Sequence, residues 1–150
     1  MSESTDRIEK QLVVRAPRSR VWRAISNAEE FGTWFRARFE RGFEPGATVR
    51  GKILEPGFEH AIEIVVERIE PEHLFSFRWH PYAIDPEADY SAEPTTLVEF
   101  RLEEIPDGTR LTVTESGFDR IPLARRAEAF RMNDHGWAIQ LDRIGRHVAT

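Results

Sequence analysis

Two residues of this chain combine a titratable group with an expected inward position: His60 and Glu115. Along the run Phe58, His60, Ile62, Ile64, Val66 the intervening Glu59, Glu63 and Glu67 take the opposite face, so His60 shares the apolar one. Leu111, Val113, Glu115 and Gly117 share a face of a later run in the same way. A histidine and a carboxylate aimed into one interior offer two kinds of chemistry. They can form a hydrogen-bonded pair that moves protons, or they can be the few polar anchors of an otherwise apolar binding chamber. Walls for such a chamber are available: Phe75, Phe77 and Trp79 alternate on one strand, and Trp34, Phe35, Phe118, Phe130 and Trp137 add rings from elsewhere, with Ile62 beside His60.

Other chemistries lack their signatures. There is no Gly-rich phosphate loop, no nucleophile-elbow serine and no histidine pair at helical metal spacing. His73 and His80 are seven positions apart on one strand and so fall on opposite faces, and His135 and His147 are too far apart on one helix. The absence of cysteine excludes disulfides, thiolate metal sites and a cysteine nucleophile. We therefore expect no metal and no cofactor, and assign no catalytic residue.

The elements that must position these groups follow from periodicity and turn residues. Ile8 to Val14 alternates as a first strand, Pro17 opens a short helix carrying Val21, Trp22 and Ile25, and Asn27 with Glu30 three residues later caps a second short helix carrying Phe31 and Trp34. Turns at "EPG" (Glu44 and again Glu55), "EPEH" (Glu70) and "PDG" (Pro106) then divide strands near Ala37 to Phe43, Thr48 to Leu54, Phe58 to Ile69, Leu74 to His80, Thr95 to Glu103 and Thr109 to Phe118. Between Pro81 and Pro94, three prolines and several acidic residues predict a long exposed loop. Pro122 opens a last long helix with Leu123, Ala127, Phe130, Trp137, Leu141, Ile144 and Val148 on its apolar face. Connections this short exclude a parallel α/β fold. They predict an α+β domain: a curved antiparallel sheet of about seven strands wrapped around a long C-terminal helix, with two short helices after strand one.

Composition bounds the partners. The chain has 150 residues, 40% of them hydrophobic and 31% charged, which suits a single domain over 1–150 with the first six residues flexible. Its 21 Lys+Arg against 26 Asp+Glu give a formal net charge of -5, which argues against nucleic acid. The start "MSESTDRIEK" lacks the apolar region of a signal peptide and no later run is long enough for a membrane span, so a cytoplasmic location is expected.

The stretches "VVRAPRSRVWRAISNAEEFGTWF", "GTRLTVTESGF" and "NDHGWAIQLDRI" resemble the helix-grip, START-like superfamily called SRPBCC, and within it the homologues of the C-terminal domain of the Hsp-ninety ATPase activator. The resemblance runs from about Ile8 to Val148. It implies a helix-grip fold whose members include lipid carriers, hormone-binding and allergen proteins, aromatase/cyclases and chaperone activators. The eukaryotic activator also uses a separate N-terminal domain, for which no room precedes the first strand, so a chaperone partner is not expected.

Three functions are thus in play. The leading expectation is non-catalytic binding of a small apolar or amphipathic molecule between sheet and last helix, lined by Trp34, Phe35, His60, Ile62, Phe77, Trp79, Glu115, Phe118, Phe130, Asn133 and Trp137. The alternatives are a cyclase- or hydrolase-like enzyme using His60 and Glu115, and a protein-interaction module acting through the outer sheet or the Pro81 to Pro94 loop; a homodimer fits any of them. The polar gap before Trp137 bears on the choice. Either Asn133 or Asp134 faces the sheet and leaves polar room above a chamber, or both face solvent and Gly136 merely bends the helix. Arg125, Arg126 and Arg131, interleaved with Glu128 and Asp134, read as a solvated face.

Overall fold

The computed structural model describes residues 6–57, 59–85 and 87–149. Strand β1 (Arg7–Val14) leads through Pro17 into α1 (Arg18–Ser26) and α2 (Ala28–Phe35), followed by β2 (Ala37–Phe39), β3 (Thr48–Ile53), β4 (His60–Glu70), β5 (Leu74–Trp79), β6 (Thr96–Ile105) and β7 (Gly108–Ser116). A 3₁₀ turn (Phe118–Arg120) then precedes α3 (Leu123–Val148). The strands form one seven-stranded sheet in the order β1-β7-β6-β5-β4-β3-β2. Six strands are a meander, and β1 returns to pair antiparallel with β7. Among the described residues no helix is long and apolar enough to cross a membrane.

The local signals act as their chemistry requires. The Asn27 side chain accepts the backbone N–H of Glu30 at 3.0 Å, which satisfies one of the donors left open at the start of α2. The Glu30 carboxylate is then free to accept hydrogen bonds from Arg20 and Arg23 of α1 at 2.7 Å each, and it lies 2.9 Å from His147 near the end of α3. Arg36 closes α2 in the left-handed conformation, with φ 63.

Phe31 of α2 is buried at the centre of the core. Its ring lies 4.4 Å from Trp34, 5.2 Å from Phe35, 5.5 Å from Phe43 and 6.2 Å from Phe77, centroid to centroid. On the outer face of the sheet, arginines pair with glutamates on the same or neighbouring strands, as in Arg50–Glu63, Arg78–Glu67 and Arg110–Glu103.

Some expectations need correction. β2 ends at Phe39 rather than Phe43, although Phe43 still packs on the core, stacked 5.2 Å from Phe75. The β4–β5 register shifts between Val66 and Arg68, a bulge that turns Ile69 rather than Arg68 toward the core. On α3, Leu123 is 79% exposed and Ala127 is exposed, while Ala129 is fully buried, because the helix enters the core only after its first turn and a half. Of the N-terminal residues expected to be flexible, 1–5 lie outside the described residues. Asp6 is tied down: its backbone oxygen accepts from Gly117 and Phe118, and its carboxylate accepts from the Asp119 N–H at 2.9 Å. Phe58 also lies outside the described residues, so its place on the inward face is not described.

A Cβ built on Gly136 meets nothing within 4 Å, so this glycine is not required by close backbone approach. Gly136→Ala is expected to raise stability by about 0.5–1 kcal/mol, while Phe31→Ala costs about 3–5 kcal/mol. Denaturant midpoints of the two variants check both signs.

Candidate functional site

Glu115 is fully buried on β7. Four side chains converge on its carboxylate, and the fold explains why. Trp79 ends β5 and Thr96 begins β6 directly opposite it. From there the Trp79 indole N–H donates to Oε2 at 2.7 Å and the Thr96 hydroxyl donates to the same oxygen at 2.6 Å. Asn133 and Trp137 are four residues apart on α3 and therefore share the face that looks at the sheet. The Trp137 indole N–H donates to Oε1 at 2.8 Å, and the Asn133 amide lies 3.0 Å from Oε1 and 3.1 Å from Oε2. Strand donors thus hold one oxygen, a helix indole holds the other, and Asn133 bridges both.

Every one of these donors is uncharged. Burial pushes the Glu115 carboxyl above its ordinary value near 4.5, and the hydrogen bonds from Thr96, Trp79, Trp137 and Asn133 only partly offset that cost. An indole N–H cannot accept a hydrogen bond, so among these partners a protonated Glu115 can donate only to the Thr96 hydroxyl or, with its amide turned over, to the Asn133 side-chain oxygen.

Aromatic rings surround the carboxylate. Trp79 and Trp137 stack with centroids 5.8 Å apart, Phe77 and Phe35 lie 5.3 and 6.0 Å from Trp79, and Phe100 lies 5.7 Å from Trp137. Of the residues expected to line a chamber, Trp79, Glu115, Asn133 and Trp137 are in direct contact, and Phe35 and Phe77 adjoin them. Trp34 lies one ring further back, 5.7 Å from Phe35, with its indole N–H donated to the Ala24 carbonyl at 2.8 Å. Phe118 and Phe130 form a separate pair 5.1 Å apart beside the start of α3.

His60 and Ile62 are elsewhere. Val65 pairs with Arg78, so His60 lies beyond the end of β5 by about four residues, or roughly 13 Å along the strand, and β4 is three strands from β7. His60 is half-buried opposite Ile53, and Ile62 is a half-buried residue packed against the core. The structure does not bring His60 to Glu115. Shared inward parity specifies a face of the sheet but not a position along it.

Two contributors escaped the sequence reading. Thr96 follows the same alternation as Val98 and Phe100, so its inward side was legible from their spacing. Arg125 was not legible, because its role depends on a loop. It is no solvated residue: its Nε and Nη2 donate to Glu93 Oε1 at 3.0 and 2.8 Å, its Nη1 donates to the Pro81 carbonyl at 2.8 Å, and its guanidinium lies 4.8 Å from the Tyr90 ring centroid. These contacts hold the β5–β6 connection against α3. That connection joins Trp79 to Thr96, so Arg125 pins the chain segment between two of the Glu115 donors.

Two surface grooves lie apart from this cluster. One, of about 850 Å³, runs between α2 and β2 past Asn27, Thr33, Arg38 and Leu54, and one of about 370 Å³ lies between α2 and the end of α3. Neither includes Glu115.

An open seven-stranded antiparallel sheet with one long C-terminal helix, and two short helices after the first strand, defines a helix-grip domain of the SRPBCC type. The chain belongs to the family described as activator of Hsp90 ATPase homolog 1-like protein, whose model matches residues 15–149. Solved structures share the fold. Protein MLL2253 from Mesorhizobium loti is 18% identical with a TM-score of 0.75, over 95% of this chain and 96% of that one. An NMR structure of a protein from Arthrobacter aurescens is 15% identical with a TM-score of 0.80, over 99% and 90%. DynU16, from the dynemicin biosynthetic locus, is 25% identical with a TM-score of 0.73; the match takes in 97% of this chain and 48% of that one. No curated protein matches the sequence.

The direction of the Glu115 shift sets a pH dependence. Its folded value lies above its unfolded one, so its contribution to stability is complete below about pH 4.5 and is lost as pH rises through the folded value. Thermal unfolding of wild type and Glu115→Gln across pH 4 to 8 should therefore show wild type losing ground to the variant as pH rises. A difference that does not change with pH contradicts this assignment.

Proposed function

We propose that this protein binds a small apolar or amphipathic molecule between the sheet and α3, with Glu115 as the polar anchor. The observation that carries the proposal is a fully buried carboxylate ringed by aromatic side chains and held only by neutral donors. Such a group is poor stabilisation: an apolar residue of similar volume in its place is often neutral or better for the fold. Buried titratable groups of this kind concentrate at functional sites. In this structure the stacked indoles of Trp79 and Trp137 fill the space beside the carboxylate, so entry of a ligand requires them to move. The route is past the β5–β6 connection, where Arg125 is the fastening.

The helix-grip fold of the family is consistent with a ligand-binding domain. Cysteine-free composition fits a cytoplasmic setting. The proton-transfer alternative loses its second group, because His60 lies away from Glu115. The family's description also makes a protein partner a second reading, with the groove between α2 and β2 as the place to look.

Titration with the neutral dye Nile red, followed by tryptophan quenching and native mass spectrometry, tests the first reading. One saturable site is expected, with several-fold faster association in Arg125→Ala. Absence of saturable one-to-one binding in both wild type and Arg125→Ala overturns it.

A further inference from the structure

Resting on that binding reading, we infer that the ligand is a cationic amine with an apolar body, and that Asn133 occupies the position its ammonium group takes. A carboxylate offers about four lone-pair positions. Three are filled by donors at 2.6 to 2.8 Å: Thr96 and Trp79 come from strand ends paired in register, and Trp137 is buried and stacked. The remaining contact is different. The Asn133 nitrogen lies 3.0 and 3.1 Å from the two oxygens, the longest of the set, and it straddles both. A position from which one nitrogen reaches both carboxylate oxygens is one that a compact ammonium with three donors can take.

Asn133 is also the donor best placed to leave. It is half-buried, and Gly136 is about 60° away around the helix, with open space where a side chain would project. Swinging the amide toward that space frees the bridging position, while the stacked indoles move aside to admit the body of the ligand.

The electrostatics select a cation. Glu30 and Glu55, both less buried than Glu115, are matched by arginines: Glu30 by Arg20 and Arg23, Glu55 by Arg36 and Arg143. Glu115 receives no cationic partner among the described residues. Around it stand the rings of Trp79, Trp137, Phe77 and Phe100, an apolar surround that suits a hydrocarbon body. A second anion there would face Glu115 at close range. A neutral ligand would leave Glu115 without a cationic partner, as before. An ammonium supplies the missing charge, and the rings accept its hydrocarbon body.

The test compares three probes of one shape, octylamine, octanol and octanoate, with phenethylamine and phenethyl alcohol as a second body, by calorimetry on the full chain at pH 7. Each amine should bind at least tenfold more tightly than its alcohol, and octanoate should not bind. Glu115→Gln should remove the preference for amine. Asn133→Ala, which leaves Glu115 and both indoles in place, should tighten amine binding several-fold and provides the test if Glu115→Gln does not fold. Equal binding of amine and alcohol overturns the amine assignment while leaving the binding reading intact, as does Nile red binding with no amine binding. Weaker amine binding in Asn133→Ala overturns the placeholder role. Failure of all five probes and of Nile red overturns the binding reading itself.

Discussion

The hydrogen-bonded carboxylate of Glu115 is the constraint around which the structure is organised. It must be reached simultaneously from the end of β5, the start of β6 and one face of α3, so it couples strand register to the placement of the helix across the sheet. A slip of one residue in β7 would turn Glu115 to the outer face and leave two indole N–H groups and a threonine hydroxyl without their acceptor. The same slip would expose Leu111 and Val113, so hydrophobic burial and the directional bonds to Glu115 fix the same register. The price is the desolvation of a carboxylate that no cation offsets.

The periphery is tied down differently. Glu30 joins α1, α2 and the end of α3, and Glu55 joins Arg36 at the end of α2 to Arg143 of α3. In both, partial burial works against the charge, but hydrogen bonds and attraction from the arginines, with His147 contributing at Glu30, outweigh it and hold the carboxyls below their ordinary value. Their stabilisation is therefore present above the unfolded value and lost as pH falls through the folded one, the reverse of Glu115. The shell of the molecule is built for ionised carboxylates, whereas its centre resists ionisation. That contrast within one helix-grip domain is what supports the proposal of a binding site at its centre.

Much of this was legible in the sequence, for identifiable reasons. Alternation identified the inward faces of the strands because one side of the sheet is solvated, and Asn27 with Glu30 marked a cap whose hydrogen bond is local. Glu115 stood out as a charge on an apolar face. The limits are equally physical. Parity gives a face but no position along the strand, so His60 and Glu115 were grouped although the sheet separates them. The bulge after Val66 leaves no residue-type signature in "VVERIE", and Leu123 obeys helical spacing in a turn that precedes the core. The polar gap on α3 resolves with Asn133 facing the sheet and Asp134 paired with Lys10 at 3.2 Å, a choice set by the rotation of the helix and not by residue type. Arg125 depended on the path of a loop, which composition could describe only as exposed.

The central claim is that both indoles donate to one buried carboxylate. The most direct measurement follows the indole N–H resonances of the tryptophans by NMR as a function of pH, with hydrogen exchange measured in parallel. The Trp79 and Trp137 signals should exchange slowly and shift together with a single apparent pKa above the ordinary glutamate value, and that shared titration should vanish in Glu115→Gln. Independent titration of the two indoles, or exchange as fast as that of the half-buried Trp22 of α1, would contradict it.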